Sequence, residues 1–137
     1  MPTRPRVLLV DDHPSIVKVL ARLLSPECDV VGVIADGREV AEAARRLQPV
    51  VIVLDLNLPN ASGLDVCRQI TQNHPHMKII VISAMIDDHT RDEALAAGAS
   101  DFFDKSAAHE LVLAIKRLWT DPASVASMAP DPTEPPA

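Results

Sequence analysis

Apolar residues in this chain fall into two kinds of run. Short blocks of mostly Val, Ile and Leu recur at Val7–Val10, Val30–Ile34, Val50–Leu54 and Ile79–Ile82, with a weaker Phe102–Phe103 as the fifth. Blocks this short, with little polar alternation, predict strands buried on both faces. The stretches between them are of helical length and carry apolar residues three and four apart. They are Ile16, Leu20, Leu23 and Leu24 in the first, Val40, Ala43, Ala44 and Leu47 in the second, and Val66 and Ile70 in the third. Ala94 to Ala97 mark a fourth, and Leu111, Ile115 and Leu118 a fifth. Such spacing gathers the apolar side chains into one stripe of a helix. Asp36-Gly37, Pro49, Pro59, Gly63, Pro75 and Gly98 fall between the segments, at expected turns and helix ends.

Strict alternation of strand and helix predicts a parallel sheet, because parallel neighbours need a crossover and a helix is the usual one. The expected class is therefore α/β, a doubly wound (βα)5 fold. A length of 137 residues with 47% hydrophobic content suits one domain with a real core. We place that domain at residues 1–120. From 121 to 137 five of seventeen residues are proline and none is basic, which reads as a disordered tail or linker.

Charge and composition narrow the function. The net charge of −6 leaves no basic face, so binding of nucleic acid through this chain is not expected. No apolar run approaches the roughly 20 residues that span a bilayer, and the chain reads as cytoplasmic, without a membrane partner. Cys28 and Cys67 lack metal or redox spacing and read as buried small hydrophobes.

In open α/β sheets ligands collect outside the carboxyl ends of the strands. Asp11 and Asp12 follow the first strand, Asp55 ends the third, Ser83 follows the fourth and Lys105 the fifth. Three carboxylates on one rim repel one another unless a cation sits among them. Mg²⁺ suits the chemistry, since it takes a few carboxylate oxygens and keeps positions for a phosphoryl oxygen. Asp55 is then a nucleophile that forms an aspartyl phosphate. Lys105 and the Ser83 hydroxyl neutralise its oxygens, and the Asn57 carbonyl completes the metal shell. Leu58-Pro59 and Gly63 are expected to build a tight turn around an exposed Asp55 carboxylate.

Four stretches carry a resemblance: Val10-Asp11-Asp12-His13-Pro14, Leu54-Asp55-Leu56-Asn57-Leu58-Pro59 with Gly63, Ile82-Ser83-Ala84, and Gly98-Ala99-Ser100-Asp101-Phe102-Phe103-Asp104-Lys105. Together they resemble the receiver domain of bacterial two-component response regulators, over roughly Arg6 to Trp119. His-Pro after the acidic pair and Asp-Lys-Ser after the aromatic pair resemble the NarL/FixJ-like receivers that precede LuxR-type output domains. The resemblance implies a flavodoxin-like five-stranded parallel sheet, strand order 2-1-3-4-5. It implies that Asp11, Asp12, Asp55 and the Asn57 carbonyl hold Mg²⁺, with Mn²⁺ as a substitute. Asp55 would receive its phosphoryl group from a sensor histidine kinase or phosphotransfer protein. Ser83, Ala84 and Lys105 would hold that group and Phe102 would follow it. The face made by the fourth helix, fifth strand and fifth helix would then change partner, through a homodimer or a downstream protein target.

Two positions depart from the family pattern. Ser106 stands where many receivers have a cis-proline, and a cis bond without proline costs about 3 kcal/mol, so a different loop is expected there. Met85 stands where several receivers have a polar residue. With Asn57 it is expected to set the dephosphorylation rate, the thioether shielding the phosphoryl group, and an unchanged lifetime in Met85→Glu would refute this. His13 is expected to cap or pack near the first helix, and His74 and His76 to be solvated. A haloacid-dehalogenase-type phosphatase, the rival reading, needs an acid two residues after its nucleophile. That position is Asn57, and the expected role is a switch that catalyses only its own phosphorylation and dephosphorylation.

Overall fold

A computed structural model describes the backbone of residues 4–84 and 87–128, and side chains as far as Trp119. Five strands alternate with five helices: β1 (Arg6–Val10), α1 (Pro14–Leu24), β2 (Asp29–Ile34), α2 (Val40–Leu47), β3 (Val51–Asp55), α3 (Gly63–Asn73), β4 (Lys78–Ser83), α4 (Asp88–Ala96), β5 (Asp101–Asp104) and α5 (Leu111–Met128). Short 3-10 helices at Gly37–Glu39 and Lys105–Glu110 precede α2 and α5. Every strand pairing is parallel, in the order β2-β1-β3-β4-β5, as expected for a doubly wound sheet.

The two-residue period of a strand divides the core into two layers. Leu8, Val10, Ile52, Leu54, Ile79 and Val81 pack with Val40 and Ala44 of α2, Val66, Cys67 and Ile70 of α3, and Ala94 of α4. Val7, Leu9, Val51, Val53, Ile80 and Ile82 face the other way, onto Leu20 and Leu24 of α1 and Leu111, Ala114 and Ile115 of α5. All five residues of β3, the middle strand, are buried. Both cysteines are buried and free.

Two local expectations are corrected. Gly63 begins α3 instead of lying in a turn, and the Ser62 hydroxyl caps the helix by accepting the Asp65 N–H. A Cβ there would stand 2.6 Å from the Leu56 backbone, so close approach selects glycine at this position. Leu23 of α1 is partly exposed, pointing outward while Leu24 is buried. The last helix, α5, runs from Leu111 through Met128.

Candidate functional site

Parallel strands in register bring their carboxyl ends to one edge. Val10 pairs with Leu54, Asp55 with Ile82, and Ser83 with Asp104, so the residues that follow each strand meet at a single rim. The central carboxylate there is Asp55. Its Oδ1 accepts the Asn57 backbone N–H at 3.0 Å, and its Oδ2 accepts from the Lys105 ammonium at 3.1 Å. Lys105 also lies 3.1 Å from Asp11 Oδ2. The expectation of an exposed Asp55 carboxylate is overturned, for the residue has no accessible surface. Lys105 Nζ and, at 3.7 Å, the His13 ring stand against it.

Burial would lower the pKa of Lys105, but hydrogen bonds to Asp11 and Asp55, together with their charges, outweigh it and leave the pKa raised. The lysine therefore stays a cation at the rim. It cannot serve all three acids. Asp11 Oδ2 and Asp12 Oδ1 are buried and accept no hydrogen bond of good geometry. Donor atoms of Asp11, Asp12, His13 and Asp55 lie within 4.8 Å of one another. Hard oxygen donors left with spare lone pairs fit a divalent cation.

Comparison with known proteins agrees with this geometry. The response regulator receiver domain family matches residues 7–116. The chain belongs to this family. Its relatives include the response regulator GacA of Pseudomonas protegens, 33% identical over 117 residues, which cover 83% of this chain and 55% of GacA. The chain thus spans about half the length of the GacA relatives it matches. The chemotaxis protein CheY of Thermotoga maritima is 36% identical over 101 residues, 73% of this chain and 84% of CheY. Among solved structures, a LuxR-family two-component response regulator from Aurantimonas sp. SI85-9A1 superposes with a TM-score of 0.80 at 32% identity, covering 86% of each chain.

Within this receiver, Ser83 ends β4 and is 2% exposed, next to the exposed Ala84. Phe102 and Phe103 go to opposite faces: Phe102 joins the layer of α2, α3 and α4, and Phe103 packs against that of α1 and α5. Met85 lies outside the described residues. The loop after β5 is built by Asp104, whose Oδ1 accepts both the Ser106 backbone N–H at 2.8 Å and the Ser106 hydroxyl at 2.7 Å. That turn starts the 3-10 helix at Lys105. It gives Ser106 a defined part in aiming the lysine.

His13 was expected only to cap or pack. It occupies the N-cap position of α1 but makes no side-chain capping bond. Its Nδ1 instead lies 2.9 Å from Asp11 Oδ1 and 3.3 Å from Asp12 Oδ1. The signal that could have found it is Pro14. A residue before proline is held extended, and Asp11 Oδ1 accepts the His13 N–H at 2.9 Å, which turns the ring back to the acids.

Proposed function

We propose that Asp55 accepts a phosphoryl group from the phosphohistidine of a sensor histidine kinase or phosphotransfer protein. The observation that carries this reading is the buried Asp55 carboxylate with the Lys105 ammonium 3.1 Å from its Oδ2. One Asp55 oxygen attacks phosphorus, the phosphorus–nitrogen bond breaks, and its electron pair leaves with the donor imidazole. Asp11, Asp12, Asp55 and the Asn57 carbonyl would hold Mg²⁺, or Mn²⁺ in its place. The bound ion supplies positive charge that offsets repulsion between the carboxylates and the incoming phosphoryl oxygens. Lys105, the Ser83 hydroxyl and the Ala84 backbone stabilise the equatorial oxygens. Asn57, with Met85, sets how fast water removes the group.

The same reading makes Phe102 the reporter. Along α4 Ala94 is the buried residue, so little apolar contact holds that helix and repositioning it costs little. A hydrogen bond from Ser83 to the phosphoryl group would favour one packing of Phe102 over the other, a population shift that alters the α4-β5-α5 face. A homodimer or a downstream protein would read the change.

Incubation with a small acyl-phosphate donor and Mg²⁺, followed by intact-mass measurement, tests the proposal. Wild type should gain an acid-stable, base-labile phosphoryl adduct and Asp55→Asn should not. Absence of the adduct on wild type rejects the reading.

A further inference from the structure

We propose that His13 Nδ1 is a ligand of the divalent cation at this rim, and that it shifts the site's preference toward ions that bind imidazole, such as Ni²⁺ and Fe²⁺. The inference rests on the reading that the rim holds a cation at all. Its observation is where the His13 ring stands among the acids. Nδ1 lies 2.9 Å from Asp11, 3.3 Å from Asp12 and 3.7 Å from Asp55, within the 4.8 Å span of the donor set. Of the oxygens it faces, Asp12 Oδ1 is buried and accepts no hydrogen bond of good geometry.

The backbone keeps the ring there. His13 is extended, with φ −99° and ψ 106°, as a residue before Pro14 must be, and its N–H is tied to Asp11 Oδ1. The side chain makes no capping bond to α1 and is half exposed, so its orientation is set by the acids it meets, Asp11 first at 2.9 Å. On a bound cation Nδ1 would turn its lone pair to the ion in place of its contact with Asp11 Oδ1, and Nε2 would carry the ring proton. Carboxylates and water suit Mg²⁺, whereas an added imidazole nitrogen favours later first-row ions.

Titration calorimetry of the tag-free chain with MgCl₂ and with NiCl₂ tests the assignment. Even a site of oxygen donors alone binds Ni²⁺ more tightly than Mg²⁺, so the informative quantity is the ratio of Ni²⁺ to Mg²⁺ affinity in wild type against His13→Ala. We expect that ratio to fall about tenfold or more, with Mg²⁺ affinity changed less than about threefold. Ni²⁺ should broaden the amide resonances of residues 11–13 and 55–57. A ratio unaltered by His13→Ala overturns the proposal. So does broadening confined to His74 and His76, whose ring centroids lie 6.0 Å apart. Binding of both ions regardless of His13 rejects this inference alone, while failure of wild type to bind either ion rejects the cation site as well.

Discussion

The Lys105 ammonium stands 3.1 Å from the Asp55 carboxylate, and an equal distance separates it from Asp11. One cation thus holds together two acids that the chain brings to the rim from different strands. Removing it in Lys105→Ala leaves both charges buried without that partner. We expect a loss of about 3 kcal/mol in metal-free buffer, measured by urea unfolding. Saturating Mg²⁺ should recover part of the loss, because a bound cation stabilises the folded state.

Gly63→Ala should destabilise the domain by about 2–3 kcal/mol through overpacking. Its new methyl would meet the Leu56 backbone at 2.6 Å, and Leu56 directly follows Asp55. Equilibrium unfolding checks the magnitude. Phosphorylation of Asp55 should slow as well, because the loop that must give way is the one carrying the carboxylate.

Asp36 joins two loops, its Oδ2 accepting from Arg38 at 2.8 Å and from Asn60 at 3.1 Å. The Arg38 side-chain hydrogen bond is the chief cause of a pKa lowered to about 2. A depressed carboxylate contributes stability above its unfolded pKa and loses it as pH falls through the folded one, so this contact fails between about pH 4 and pH 2. Carboxyl NMR titration should follow Asp36 through that window. In Arg38→Ala its midpoint should move up toward the ordinary carboxylate value.

Leu95 of α4 and Leu113 of α5 are 46% and 64% exposed, on the face proposed to change partner. Loaded with beryllofluoride and Mg²⁺, the chain should sediment as a dimer, and Leu113→Asp should leave it monomeric. A monomer with and without the phosphate mimic would remove self-association from the proposed output.

The strands were legible because a strand covered on both faces must be apolar at nearly every position, as Val51 to Leu54 are. Once the strands are placed, topology alone puts Asp11, Asp55, Ser83 and Lys105 on one rim. The burial of Asp55 was not legible, because Lys105, fifty residues further along the chain, helps to close over it. Nor was the aim of His13, which follows from a local turn and not from any spacing of like residues. The extent of α5 was hidden by averaging: four of the five prolines counted in the proposed tail lie beyond Met128, and the composition before them is compatible with helix.

Among the described strands Asp55 ends the one buried along its whole length, β3, which pairs with β1 on one side and β4 on the other. Its backbone belongs to the part of the molecule that should open only with global unfolding. A copy that opens locally at α4 can therefore keep its acceptor while losing the surface that reports on it. Failure in this protein should appear as silence, not as a false signal.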